Sequence, residues 1–264
     1  MRRGRFLRAS TLALGLAGVA MLGGLAGAGA SPAGSQKPQV VKGSGDIAPK
    51  IDEFRTLLGA DNGGAPTQNA TGRREINWDA VPDDLASPNA LPSDFFNATT
   101  EPRARGAVLE TPGDHVAVSA KAGNPAGVPV RFGDINPSYT NTFRAFSEER
   151  LFSPVGSNVV NLHFNVPGTT TPAAVNGFGA VYTDVDHKES AAFEYFDAKN
   201  KSLGKFAVPV SKNGYSFLAV AFPDPVVARV KIVYGNNKLG PKDGKKYDVA
   251  VMDDFIYGEP QAQT

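Results

Sequence analysis

The stretch 251-VMDDFIYGEP-260 places two adjacent carboxylates, Asp253 and Asp254, inside an apolar run. Ionised carboxylates are rarely buried unless they are paired with donors or bound to a metal. In a strand, one of two adjacent residues faces inward unless a bulge turns both to one side. The stretch therefore predicts a strand that closes the fold and carries either a hydrogen-bonded acid pair or a cation site.

Upstream of this stretch, from Arg73 onward, apolar residues recur with a period of two between turns rich in Gly, Pro and Asn. In 228-ARVKIVYG-235, Val230, Ile232 and Tyr234 share one face, which predicts a half-buried antiparallel strand. No amphipathic segment of helix length interrupts the pattern, so the fold class is all-β. Strands are predicted at 73–78, 106–111, 115–120, 128–132, 143–147, 158–166, 176–184, 190–197, 203–209, 215–222, 226–234 and 247–257.

The first thirty residues have the pattern of a signal peptide. Four arginines in the first eight residues precede an apolar core from Thr11 to Leu25, and the small residues 28-AGA-30 follow. This order predicts cleavage near Ala30 and a secreted protein, extracellular or periplasmic. The alternative, a membrane anchor, fits less well because the apolar segment is short and interrupted by glycine. We expect no membrane span in the mature chain.

Residues 31–72 are predicted to be a flexible leader that contains one short helix. Pro, Gly and Ser dominate 31–45, and 60–72 reads as a linker. Between them Ile47, Ile51, Phe54 and Leu58 recur at helical spacing, which predicts a helix over 47–58. The β-sandwich domain then spans 73–260.

Composition excludes several functions. The 27 Lys and Arg residues nearly balance 26 Asp and Glu, so no basic surface for nucleic acid is expected. With no cysteine there is no disulfide, thiol nucleophile or zinc–thiolate site. Nucleophile-elbow and dinucleotide motifs are missing from the sequence, so we expect a non-catalytic protein. His163 alternates with Val160, Leu162 and Phe164 and is expected on an exposed strand face.

Four carboxylates are candidate metal ligands. Glu75 and Asp79 share one face of the predicted strand at 73–78 and its continuation. If this first strand pairs with the last one, these side chains could meet Asp253 or Asp254, and the oxygen ligands would suit calcium. The alternative is that the inward carboxylate accepts hydrogen bonds from backbone or arginine.

Three further residues are candidate ligand contacts. Trp78, the single tryptophan, is either a core residue or a platform for stacking a sugar. Asp184 and Asp186 lie at i and i+2 where a strand runs into a turn, so both point to one side. They are either turn residues or ligands for a hard cation.

Four stretches carry a family resemblance: 177-GFGAVYTDVD-186, 191-AAFEYFDAKNKSLGKFAVPV-210, 215-YSFLAVAFPDPVVARVKIVYG-235 and 248-DVAVMDDFIYGEP-260. Together they resemble the galactose-binding-like jelly-roll domains, similar to carbohydrate-binding modules, of uncharacterised secreted bacterial proteins. The resemblance covers about 140–260, and 72–140 would complete the sandwich. It implies an antiparallel jelly-roll β-sandwich, carbohydrate binding, and a structural calcium held by Asp253.

The expected function is therefore a secreted, non-catalytic β-sandwich that binds carbohydrate or another cell-surface component and carries a structural calcium. No exposed aromatic cluster for sugar stacking stands out, which departs from the resembling domains. Two alternatives stay open: a structural envelope protein without a small ligand, and a glycoside hydrolase that uses two carboxylates. The sequence does not indicate an oligomeric state.

Overall fold

Residues 37–244 and 246–263 are described by the computed structural model, so the predicted signal peptide lies outside the described residues. Two helices, a 3-10 turn at Asp83–Leu85 and fourteen strands form there. In chain order they are β1 (Gln39–Ser44), α1 (Ala48–Leu58), β2 (Arg73–Ile76), β3 (Ala107–Glu110), β4 (His115–Val118), α2 (Tyr139–Thr142), β5 (Phe152–Val155), β6 (Val159–Phe164), β7 (Ala173–Ala174), β8 (Gly177–Val185), β9 (Ala192–Phe196), β10 (Ser202–Ala207), β11 (Ser211–Ala221), β12 (Arg229–Val233), β13 (Val251–Gly258) and β14 (Gln261–Ala262).

The strands form an antiparallel jelly-roll sandwich, as predicted. One sheet has the order β1-β11-β8-β13-β5-β4, with β2 also paired to β13, and the other has the order β10-β9-β12-β6-β3. A two-stranded ribbon joins β14 to β7. The last long strand pairs with the first predicted one through Phe255 opposite Ile76 and Gly258 opposite Arg73. The predicted closure of chain start against chain end is therefore present.

The main core lies between the two large sheets and is rich in aromatic rings. Trp78 stacks on Phe152 with centroids 4.2 Å apart, and the edge-to-face partners of its ring are Phe96 and Phe255. On β12, Val230 and Ile232 are fully buried, in agreement with the predicted alternation. Aromatic pairs of this kind add about 0.5–1.5 kcal/mol each beyond their buried area.

The outer face of the seven-stranded sheet is covered by other elements. Helix α1 packs Phe54 and Leu58 against Phe217 and Ile256, and a second cluster around Phe143 covers the rest. Every residue of β8 and β13 is consequently buried. On β6 and β12, by contrast, buried and half-exposed residues alternate. The five-stranded sheet thus leaves its outer face open to solvent.

The prediction of a flexible leader is wrong for the described part of 31–72. Strand β1 lies along the edge of the seven-stranded sheet, with Val41 opposite Ala219 and buried. The loop after α1 is tied down because Asn62 and the Asn69 amide donate to the buried carboxylate of Glu259. Partner strands and a distant carboxylate order these segments, and local composition carries no sign of either. The helix predicted at 47–58 is present as α1.

Two predicted strands are also wrong, and four strands were not predicted. The chain has no strand at 128–132 or 143–147, and Arg131 and Phe132 have φ angles of 56° and 63°, outside the β region. The unpredicted strands are β1, β5, β7 and β14. Strand β5 contains Pro154, which counts against a strand because proline has no N–H to donate. It is tolerated here because β5 pairs with β13 only through Phe152.

Neither helix of the described ranges combines the length and the apolar content needed to cross a membrane.

Candidate functional site

The outer face of the five-stranded sheet, called the open face below, presents a set of planar polar side chains. In one row Glu194 lies opposite Lys231, Lys231 opposite Asn161, and Asn161 opposite Glu110. In the next row Phe196, Arg229 and His163 lie side by side. The open face comprises Val108, Glu110, Asn161, His163, Glu194, Phe196, Arg229 and Lys231, all half-buried or exposed.

Arg229 is held rigidly on this face. Its Cζ lies 3.7 Å from the ring centroid of Phe196, and Nη1 donates to Asn161 Oδ1 at 2.9 Å. Nη2 donates to Asn200 Oδ1. Because the ring and two amide oxygens fix the guanidinium, its plane and its remaining N–H groups have a set direction before any ligand arrives.

His163 adds a neutral donor and acceptor beside Arg229. Burial lowers the pKa of His163, opposed by the charge of Glu110, whose carboxylate is 3.6 Å from Nε2. The imidazole is therefore neutral at pH 7, and 40 % of its side chain is exposed. A neutral ring offers one donor and one acceptor, which matches the two-sided hydrogen bonding of a hydroxyl group.

A polar cavity of about 310 Å³ adjoins this end of the open face. Arg229 and His163 border it together with the amide side chains of Asn165, Asn200 and Gln263. Among the described residues, Asp197 is the acidic residue that borders it. The volume is at the lower end of the range of about 300–1,000 Å³ for small-molecule sites. We call it the end cavity.

A second, more apolar depression of about 400 Å³ lies beside Trp78 and is bordered by Phe95, Phe96, Arg103 and Arg105. The prediction of Trp78 as a sugar-stacking platform is wrong, because the residue is 1 % exposed and its ring already contacts Phe96, Phe152 and Phe255. Its indole Nε1 donates to the carbonyl of Asp253 at 3.0 Å. The core alternative is what the structure shows.

Asp253 and Asp254 form a buried acid pair. Between Met252 and Phe255 the register against β8 shifts by one residue, so a bulge turns both carboxylates away from the main core. Asp253 Oδ2 accepts from the amides of Phe146 at 2.5 Å and Ser147 at 3.2 Å. Ser147 Oγ lies 3.1 Å from Asp253 Oδ1 and 2.5 Å from Asp254 Oδ1.

The pair holds a proton at neutral pH. Burial, with the negative charge of Asp254, raises the pKa of Asp253 to about 8, although three hydrogen bonds oppose the shift. Burial likewise raises the pKa of Asp254. Of the two sequence alternatives for these residues, hydrogen-bonded carboxylates and a cation site, the geometry supports the first.

The four predicted calcium ligands do not form one site. Glu75 is paired with both Arg55, at 2.7 Å, and Arg73, at 2.6 Å. Asp79 Oδ1 accepts the amides of Glu149 and Arg150 instead of facing the acid pair. Among the described residues no three acidic or histidine side chains gather with the geometry of a metal site. The four carboxylates are thus not assembled into a shared calcium site, although Asp79 Oδ2 is buried without a hydrogen-bond partner among the described residues.

Asp184 and Asp186 are more enclosed than ordinary turn residues. Asp184 is 3 % exposed and accepts the Asn213 amide at 2.7 Å. Burial raises the pKa of Asp184 to about 7, and the nearby carboxylates of Asp186 and Asp248 add to the shift. Asp186 Oδ1 is buried without a hydrogen-bond partner among the described residues. Neither residue borders the end cavity or the depression beside Trp78, so their ligand-binding role stays a prediction.

Sequence reasoning did not single out Arg229, Phe196 and Asn161. The alternation in 228-ARVKIVYG-235 and 159-VVNLHFNV-166 already places Arg229, Lys231, Asn161 and His163 outward. What the sequence does not give is that β12 lies between β6 and β9, which brings these side chains together.

No protein-family model matches the sequence, and a search of curated proteins finds no match. Three solved structures show partial similarity. A family 29 carbohydrate-binding module is 10% identical over 45% of this chain and 75% of its own, with a TM-score of 0.26. A family 61 module in complex with β-1,4-galactotriose is 15% identical over 65% of this chain and 95% of its own, with a TM-score of 0.27.

The third similar structure is the enzymatically active domain of tailspike protein 4 from bacteriophage CBA120. It is 12% identical over 64% of this chain and 21% of its own, with a TM-score of 0.25.

Proposed function

We propose that this protein is a secreted, non-catalytic carbohydrate-binding protein that holds its ligand on the open face and in the end cavity. The observation that supports the proposal most strongly is a pair of adjacent rows, with Lys231 opposite Asn161 and Arg229 opposite His163, on the sheet face that the described residues leave open. The Asn161 amide and the neutral His163 ring both donate and accept, whereas Arg229 and Lys231 only donate, and this mixture suits the hydroxyl pairs of a sugar. Secretion is supported by the signal-peptide pattern. Sequencing of the N-terminus of the protein recovered from culture medium or periplasm tests it, because cleavage is expected near Ala30.

The spacing of acidic groups on the open face supports binding over hydrolysis. Glu194 and Glu110 end the same row, three strand spacings apart. At about 4.8 Å per strand this is about 14 Å, beyond the roughly 5–9.5 Å that paired glycosidase carboxylates need. In the end cavity Asp197 has no second carboxylate among the described residues, and its Oδ1 accepts the amides of Lys199 and Lys201.

A glycan array probed with the whole protein tests the proposal, followed by calorimetry with the strongest ligand. We expect Asn161→Ala to weaken binding about tenfold or more, because one side chain that contacts ligand and orients Arg229 is lost. The control is Lys50→Ala, an exposed residue on α1, which packs against the opposite sheet. Absence of binding to any glycan of the array, or equal affinity of Asn161→Ala and the unaltered protein, would contradict the proposal. Formation of new reducing ends from a bound glycan would contradict the proposal that the protein is non-catalytic.

A further inference from the structure

The guanidinium of Arg229 forms no salt bridge with a carboxylate of the described residues. Four other arginines of the described chain, Arg55, Arg73, Arg74 and Arg150, each contact a carboxylate within 4.0 Å. Arg229 has no such contact among the described residues and is instead held by amide oxygens and an aromatic ring. Neutral partners fix its orientation, while the charge of Glu194 acts on it without a salt bridge.

The carboxylates nearest to it in the fold are already engaged elsewhere. Glu194, two residues before Phe196, accepts from Ser202 Oγ at 3.1 Å. Asp197 is occupied by two backbone amides through Oδ1. Glu110 lies 3.6 Å from His163 and is 64% exposed. None of these side chains bridges to the guanidinium, so among the described residues an anionic group of a ligand has no competitor in direct contact with it.

We propose that Arg229 binds the carboxylate of an acidic sugar, a uronic acid unit, within the glycan held by the open face. The inference rests on the proposed function. A carboxylate is planar and matches the fork of a guanidinium through two parallel hydrogen bonds. Asn165, Asn200, Gln263 and the neutral His163 around the end cavity supply donors and acceptors for the hydroxyls of the same unit.

The test compares fragments of pectate, alginate and glucuronoxylan with their carboxyl-reduced forms, which keep the linkages and lose the charge. Calorimetry is done with the whole protein and with Arg229→Lys, which keeps the charge and loses the fork. We expect at least one acidic fragment to bind about tenfold or more tighter than its reduced form, and Arg229→Lys to remove most of this preference. The preference should also decrease between 50 and 500 mM NaCl, since salt screens the charge pair.

Arg103→Lys is the matched control. Arg103 also lies over a phenylalanine ring, 4.6 Å from the centroid of Phe95, but beside the apolar depression at Trp78. Arg103→Lys should leave the preference for acidic over reduced fragments unchanged. Circular dichroism and thermal melting check that both variants fold. Equal binding of acidic and reduced fragments, or a preference that survives Arg229→Gln, would overturn the inference.

The outcomes separate this inference from the proposed function. A neutral glycan that binds the open face while no acidic fragment is preferred would overturn the inference and leave carbohydrate binding intact. Sulfated sugars that bind through Arg229 in place of uronates would overturn the choice of carboxylate. Absence of binding to every fragment and every array glycan would overturn both.

Discussion

Asp253 and Asp254, neighbours in sequence, lie on the same side of β13 and share the hydroxyl of Ser147. The one-residue shift of register between Met252 and Phe255 makes this possible, because without it one of the two carboxylates would enter the main core. The bulge therefore reconciles two adjacent acids with a strand that is buried on both faces. It also connects β13 to the loop that carries Phe146 and Ser147.

The acid pair predicts that stability falls as pH rises. The pKa of Asp253 is about 8 in the fold and near 3.8 when unfolded, so between these values the folded state binds more protons than the unfolded state. The free energy of unfolding should therefore be highest below about pH 4, as far as this pair is concerned, and decrease toward pH 8. Asp184, with a pKa raised to about 7, contributes in the same direction. Urea unfolding at pH 5, 6, 7 and 8 measures the slope.

Asp253→Asn mimics the protonated acid and should flatten this pH dependence. Its carbonyl oxygen can still accept the amides of Phe146 and Ser147, and its amino group can donate to Asp254. We expect the variant to be at least as stable as the unaltered protein at pH 8. Asp94→Asn, at an exposed position, serves as control and should keep the original slope. An unchanged slope in Asp253→Asn would show that the pair does not retain a proton.

Chelator should leave the melting temperature unchanged. Calcium remains a prediction of the sequence, but Glu75 is paired with Arg55 and Arg73, and Asp79 Oδ1 accepts two backbone amides. Scanning calorimetry in 1 mM EDTA and in 5 mM calcium chloride makes the comparison. A melting temperature that rises with calcium concentration would contradict this expectation and restore a cation site, since a ligand of the folded state stabilises by mass action.

The buried ion pair between Arg74 and Glu259 should be sensitive to removal of either charge. Nε donates to Oε2 and Nη2 to Oε1, both at 2.8 Å, with the two side chains at most 1% exposed. Glu259→Gln leaves the guanidinium buried and unpaired, which should cost about 3–5 kcal/mol of unfolding free energy. Glu53→Gln, which removes the exposed partner of Lys50, should cost less than about 1 kcal/mol. Comparable losses in urea unfolding would contradict this account.

Trp78 should report on folding and not on ligand binding. Its ring is enclosed by Phe96, Phe152 and Phe255, so Trp78→Ala should cost about 3–5 kcal/mol, and Trp78→Phe less. Its fluorescence should be poorly quenched by acrylamide and unaltered by saturating glycan. A clear emission shift on glycan addition would place the ligand beside Trp78 instead of on the open face.

The sequence predicts the fold class well, because period-two alternation follows from strand geometry alone. It also predicts the pairing of β13 with β2 and the outward position of His163 and Arg229. The sequence does not predict the strand at Gln39–Ser44, because only the partner strand β11 orders a segment whose own composition suggests a linker. The pairing of Glu75 with arginines was missed for a similar reason, because Arg55 and Arg73 lie in α1 and in its own strand, and their approach depends on packing.

Mapping of backbone amide shifts by NMR, on addition of the strongest array glycan, locates the bound ligand on the protein. We expect the largest shifts on β6, β9 and β12, centred on Asn161, Phe196 and Arg229. Shifts confined to the depression around Phe95 and Trp78, or to the covered sheet, would contradict this expectation.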